Sequence, residues 1–496
     1  MINIPLEKQV RPYKIVIYIL GILVLLSPVV YFMPDDGVKI AGIEVNFLTL
    51  EDFTHPKTQE NADISDILAD IDTSLNAPIK PLIKHKNGSN GDMGAPGAGS
   101  FEVESATELL MNESAKTNLH NFFEILSSSA ANKQKISILH YGDSQIEGDR
   151  MTGFIRERIQ QQFGGNGPGL IPATNVYDTY AFNQTYSENF ERYTCFGGGS
   201  LKSRKYGAMA SASRFTPEYD ADSLASMTDL EEQVGWIEVA PSSRAFSRAR
   251  SYNNVRMHYN ACIAPTMLRV YQDGAVIHED SLIMDGGQHT VQLSFPSTPG
   301  PLKFEFTGTV SPNVCAFSLE GDYGVQVSNI GMRGSSGTIW GRMDQGILAR
   351  MYGELNTKLI IMQFGGNSVP SFEDSTSVRN FAGYFQGQIS AVKRLNPGAM
   401  VIVIGPSDMS VYDDGLHVTY PLLPYCVDRM MAATKASGAA YWNLYAGMGG
   451  FNSMPAWVEK GLAGKDYIHF SGAGSKYASQ MFYNALMQEY NNWKGN

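Results

Sequence analysis

Residues 136–160, ISILHYGDSQIEGDRMTGFIRERIQ, decide the fold. Residues 136–141 form a short apolar run with β-branched members, which reads as a buried strand. Gly142-Asp143-Ser144 breaks the run, and from Arg150 to Phe163 the apolar residues return at helical spacing. Ser144 is therefore expected at the carboxyl end of a strand, at the turn into a helix. Open α/β sheets place their chemistry there. Taken alone, Gly-Asp-Ser is a common turn tripeptide, so the rest of the chain has to decide.

Downstream the same alternation repeats. Residues 359–364 (LIIMQF) read as a buried strand ending at Gly365-Gly366-Asn367, residues 400–404 as a third strand and 440–444 as a fourth. Asp466 and His469 lie three apart, just before a helix expected over about 475–490, and a further helical pattern runs over 103–129. A serine, an Asn donor and an Asp–His pair thus fall at strand ends or loops of one α/β unit. Ester hydrolysis by serine needs those roles: a base for the hydroxyl proton, an acid to orient the base, and donors for the oxyanion.

At these residues the sequence resembles the SGNH (GDSL-type) hydrolase family. The blocks match in order: Gly142-Asp143-Ser144, a glycine after the second strand, Gly365-x-Asn367, and Asp466-x-x-His469. The second block is met by Gly334, five residues after Asn329, with Gly337 as a close rival. The family's common Asn-Asp is Asn367-Ser368 here. The resemblance covers about 134–172 and 326–492. It implies a three-layer, flavodoxin-like α/β domain in which Ser144 is the nucleophile, His469 the base and Asp466 its orienting acid. Ser144, Gly334 and Asn367 would form the oxyanion hole, with no metal or cofactor. Asp143 reads as a turn carboxylate and His140 as structural. Gln145 is a candidate substrate contact. The stretch 448–457 with 461–463 looks like an exported polysaccharide-esterase branch of the family, which makes Trp457 a candidate substrate wall, with packing against the Asp–His loop an equal alternative.

The two matching pieces are separated by an insertion, 175–325. From 234 to 328 it alternates in LKFEFTG and HTVQLSF, with turns at Asp273-Gly274 and Asp285-Gly286-Gly287, and is expected to form an antiparallel β-sandwich. Such an insert resembles the carbohydrate-binding-like module of peptidoglycan O-acetylesterases. Trp236, Tyr252, Tyr259 and Tyr271 are candidates for sugar stacking, with core packing the commoner use. Residues 175–233 show no clear period; they read as loops on the rim of the site. The glycine-rich 164–169 lacks the Lys-Ser/Thr of a phosphate loop and reads as a loop over the cleft.

Toward the amino end, residues 15–33 (IVIYILGILVLLSPVVYFM) carry no formal charge over a length that matches a bilayer core of about 30 Å. Lys8, Arg11 and Lys14 precede them, and Asp35 and Asp36 follow. The positive-inside rule then keeps the amino terminus cytoplasmic and exports the rest. An uncleaved anchor is expected over a cleaved signal peptide, because the run is long and no A-x-A-like site follows. The expected organisation is an anchor (1–34), a stalk and flexible linker (35–100), a catalytic domain in two parts (101–174 and 326–496) and the insertion. Within the stalk, Ile64, Ile67, Leu68 and Ile71 suggest a small helix.

Composition sets the outer limits. The chain has 496 residues, 43% of them hydrophobic, and a formal charge of −11. That excludes wholesale disorder and argues against a nucleic-acid partner. It also favours a neutral or locally shielded glycan over an anionic one. Four cysteines match no zinc spacing; they read as buried thiols, with Cys262 and Cys315 as one candidate pair. The expected activity is removal of O-acetyl groups from an envelope or extracellular glycan by a membrane-anchored, extracytoplasmic esterase. The alternatives are a glycan O-acetyltransferase with the same triad, served by a multi-spanning acyltransferase partner, and an inactive glycan-binding protein of the same fold.

Overall fold

The computed structural model describes residues 12–32, 38–40, 43–45, 61–68, 108–219 and 230–495. They divide into two compact units: one takes the described residues before 61 together with Tyr412–Leu416, the other the remainder. The first holds helix α1 (Pro12–Phe32) and an antiparallel pair, Val38–Ile40 with Ile43–Val45. Side chains of α1 are described at 13–22, 24 and 25, and the large apolar ones there are exposed, from Ile15 through Leu25. Among the described residues no helix is long and apolar enough to cross a membrane. The linker at 85–100 and Ile71 lie outside the described residues.

In the second unit, five parallel strands form the central sheet: β1 (Lys135–Gly142), β2 (Gly324–Gly331), β3 (Thr357–Gln363), β4 (Met400–Ile404) and β5 (Ala440–Trp442). Their order is β2-β1-β3-β4-β5, the flavodoxin-like arrangement. Period-two alternation sends successive residues to opposite faces. Ile136, Ile138, Leu359, Ile361, Met400 and Ile402 meet α2 (Glu113–Ser128), α3 (Thr152–Phe163) and the carboxyl-terminal helix. Leu139, Tyr141, Ile360, Met362, Val401 and Val403 meet α4 (Gln345–Glu354), α5 (Ser375–Leu395) and α6 (Leu423–Ala436). The last helix, α7 (Gly472–Lys494), is capped by Ser471, whose hydroxyl accepts from the Gly474 N–H. Ile64, expected on a stalk, is instead buried in the first of these cores, and Ala62 N–H donates to the Asn452 carbonyl.

The insertion forms two antiparallel sheets packed on an aromatic core. One holds Ala275–Ser281, Thr266–Gln272, Leu302–Gly308, Gln233–Pro241 and Phe182–Tyr186 in that order. The other holds His289–Ser294, Asn254–Asn260, Asn313–Glu320, Ser211–Arg214 and Glu191–Thr194, with Gly169–Pro172 also pairing Asn313–Glu320. Phe215 and Phe306 stack, and Phe190 meets both edge-on. Part of the region 175–233 that lacked a period therefore supplies sandwich strands, and the sandwich begins at Gly169. Tyr252 and Tyr259 are buried, while Trp236 and Tyr271 are half-buried against Lys303. All four cysteines are buried free thiols, so Cys262 and Cys315 are not paired.

The glycine-rich turn at 164–169 does not cover the cleft. Gly165, at φ +110°, lies against the Val325 backbone, where a Cβ would come within 2.3 Å of its carbonyl oxygen. Val325 is the second residue of β2, so the turn packs at the amino ends of the strands, opposite the carboxyl ends that carry Ser144. Its glycines serve close backbone approach.

Candidate active site

Gly142 ends β1, and Asp143 closes the next turn: its Oδ1 accepts the Gln145 N–H at 3.0 Å. This turn presents Ser144, whose Oγ lies 2.8 Å from His469 Nε2. His469 Nδ1 lies 2.8 Å from Asp466 Oδ2, while Asp466 Oδ1 accepts the backbone N–H groups of Ile468 and His469, each at 3.0 Å. Burial alone would raise the Asp466 carboxyl. The bonds from the His469 ring and these two N–H groups outweigh it and hold the group below the usual carboxylate range. An ionised carboxylate can only accept, so Nδ1 carries the proton and Nε2 of the neutral ring is left to accept from Ser144.

The loop carrying this pair is strained and braced. Tyr467 has φ +55°, rare for an aromatic residue, and its ring stacks on His417 at 3.5 Å. Its carbonyl accepts the Ser410 N–H at 3.0 Å. Gln145 grips the loop from the other side. Its Nε2 donates to the Ile468 carbonyl at 2.6 Å and to Ser407 Oγ at 3.2 Å, and its Oε1 accepts the Phe470 N–H at 3.2 Å. Gln145 lines the cleft, yet its amide is spent on the residues flanking His469. Nothing in its spacing signals that role.

Ser144, Gly334, Asn367 and His469 line one cleft of about 560 Å³. Gly334, at φ +76°, opens toward it with no atom near a would-be Cβ, whereas a Cβ on Gly337 would meet the Phe364 ring at 2.6 Å. Gly334 is thus the glycine of the cleft and Gly337 a packing glycine. Among the described residues the N–H groups of Ser144 and Gly334 donate to no protein acceptor. Asn367 Nδ2 donates to the Ser335 carbonyl at 3.2 Å, and its side chain also bonds Asp143. Burial pushes the Asp143 carboxyl up to about 6, against the bonds from the Gln145 N–H and Asn367.

Two residues fall elsewhere. Trp457 is fully buried: its Nε1 donates to the Met448 carbonyl at 3.0 Å and its ring packs on Phe470 at 5.1 Å. It supports the His469 loop from beneath and is no substrate wall, because the indole has no face toward the cleft. His140 is buried between Thr152 Oγ1 (2.9 Å) and Gln363 Oε1 (3.1 Å), and burial lowers its pKa to about 3.

No family model and no curated protein sequence matches the chain. Among solved structures, a peptidoglycan O-acetylesterase superposes with a TM-score of 0.58 at 19% identity, over 75% of this chain and 96% of its own. That likeness shows the fold, a parallel α/β domain with an inserted β-sandwich. A family two carbohydrate esterase from Clostridium thermocellum (TM-score 0.22, 12% identity, 62% and 99% covered) also aligns. So does a salicylyl-acyltransferase of a tetracycline biosynthetic pathway (0.24, 11%, 61% and 96%). At those scores neither carries an argument.

Proposed function

We infer that the chain is an SGNH-type serine esterase that removes O-acetyl groups from a glycan. The observation that carries this reading is the relay Ser144–His469–Asp466, with both contacts at 2.8 Å, at the edge of a cleft where two backbone N–H groups have no acceptor among the described residues. Ser144 Oγ attacks the acetyl carbonyl carbon as His469 Nε2 takes its proton. The oxyanion is held by the Ser144 and Gly334 N–H groups, joined by the Asn367 amide once it turns from Ser335. Collapse breaks the C–O bond to the sugar, and the imidazolium returns its proton to the departing oxygen. Water then repeats the sequence on the acetyl-serine and frees acetate. One oxyanion donor of this kind is worth ~3–4 kcal/mol in the transition state.

The proposal extends to location. The uncharged run 15–33, with Lys8, Arg11 and Lys14 before it, supports a single amino-terminal anchor and an extracytoplasmic enzyme. The solved peptidoglycan O-acetylesterase makes an envelope glycan the first substrate to try.

The test is acetate release by the full-length protein from p-nitrophenyl acetate and from O-acetylated oligosaccharides, beside Ser144→Ala. Release that depends on Ser144 is expected. Equal rates from both proteins overturn the esterase. Acetyl transfer to a sugar hydroxyl in excess of hydrolysis assigns the same triad to a transferase, for which a multi-spanning acyl-donor partner would be sought.

A further inference from the structure

A second groove, of about 440 Å³, adjoins the catalytic cleft, and Arg150 lines both. The catalytic domain contributes Phe154 and, from α7, Lys476; two loops of the insertion contribute Tyr180 and Phe246. These two rings are 53% and 46% exposed along the groove, so a ligand there can reach their faces. Phe246 meets Phe154 edge-on at 6.4 Å, and the Arg244 guanidinium lies 5.2 Å over the Tyr180 ring, so both rings are held in place.

Charge distinguishes this groove from the rest of an acidic chain. Its single acid, Asp149, is spent on Arg156 through contacts of 2.6 and 2.9 Å, and Arg244 is spent on Asp178 at 2.9 Å. Arg150 and Lys476 form no ion pair among the described residues. Arg150 is anchored by two backbone carbonyls: its Nε donates to Glu147 at 2.9 Å and its Nη2 to Ser144. Its Nη1 has no protein acceptor among the described residues. A guanidinium fixed by backbone carbonyls thus stands beside the nucleophile, facing Asp143 on the catalytic side, with the Lys476 ammonium further along the same aromatic-walled groove.

We propose that this groove binds the sugar next to the acetylated one, and that this sugar carries a carboxylate. The proposal rests on the esterase reading for the position of the acetylated unit. Aromatic faces take the apolar side of a pyranose, while Arg150 and Lys476 take the carboxylate. The formal charge of −11 points toward a neutral glycan; at the groove the local charge is reversed, and local charge decides recognition. The carboxylate sits on the ring in a uronic acid and on a lactyl ether in a muramic acid.

Binding is measured on full-length Ser144→Ala, which needs no turnover, by calorimetry with trigalacturonate, a muramic-acid-containing disaccharide and neutral chitobiose. At least one acidic probe is expected to bind about tenfold tighter than chitobiose, and the one that does identifies the source of the carboxylate. Lys476→Glu and Phe246→Ala should each weaken that binding by about fivefold. Equal affinity for acidic and neutral probes, or acidic binding that neither substitution disturbs, overturns the groove. Loss of Ser144-dependent hydrolysis in wild type would sink the esterase reading and leave this binding result standing. Hydrolysis without acid preference would do the reverse.

Discussion

A catalytic histidine works only if its ring is held where the serine needs it, and here one amide does much of the holding. Gln145 bonds the carbonyl before His469 and the N–H after it. Gln145→Ala should therefore lower kcat by roughly 10²-fold through misplacement of the imidazole. Inactivation of Ser144 by an organophosphate should slow in parallel, with the melting temperature little changed. Gln145→Glu, which still accepts from Phe470 but cannot donate to Ile468, should fall between. Activity lost only together with the fold would show Gln145 to be mere packing. Asp466→Asn gives a yardstick, about 10⁴-fold, because it stabilises the wrong tautomer. Ser144, Asp466 and His469 were legible because their chemistry is tied to strand ends and short spacing. Gln145 was legible only as a neighbour of the serine, and for Trp457 the sequence left a substrate wall and packing against the Asp–His loop equally open; the structure shows the packing. What an amide grips, or which way an indole faces, is set by chain segments hundreds of residues away.

Between elements, the firmest polar tie is the buried pair Asp149–Arg156. It links the turn after Ser144 to α3, and Arg156 Nε donates on to the Val327 carbonyl of β2 at 2.5 Å. Asp149 sits at φ +70°, a conformation Asn also tolerates, so Asp149→Asn isolates the charge. It should cost about 3–5 kcal/mol by leaving a guanidinium buried and unpaired, whereas Asp149→Asn with Arg156→Met should cost clearly less than the two single changes summed. Urea unfolding of the four proteins reads this coupling, and strict additivity would refute it. At this scale the apolar strands β1, β3 and β4 announce themselves, since each is buried on both faces. Phe182–Tyr186, Glu191–Thr194 and Ser211–Arg214 do not. They are short and largely polar, and they become strands because neighbouring strands of the sandwich offer them hydrogen bonds. The helical pattern at Ile64 was visible, but its burial against the catalytic domain was not.

Across the whole molecule, burial traps titratable groups of both kinds, and composition cannot tell them from their exposed counterparts. His140 is lowered to about 3, and His258, buried in the sandwich between Thr290 and Ser318, is lowered well below its usual value. Asp143 and Asp408 are raised by burial to about 6. Histidine in the unfolded chain titrates near ~6.5 and aspartate near ~3.9. From about pH 6 down to about 4 the unfolded state gains the two histidine protons that the native state refuses, which removes stability. Over the same window the native state gains the two aspartate protons that the unfolded state does not yet bind, which restores it. These four groups should therefore nearly cancel until the unfolded aspartates also protonate, near pH 4, below which the histidines alone act and stability falls. Single substitutions uncover the balance. His140→Gln removes one proton from the unfolded side, so its stability should rise relative to wild type on acidification, by up to about 1.4 kcal/mol per pH unit. Asp408→Asn removes one from the native side and should fall by a similar slope. Urea midpoints at pH 4.5 and 6 measure both. Slopes parallel to wild type would mean that water reaches His140 and Asp408 and that the catalytic domain is less closed there than their burial implies.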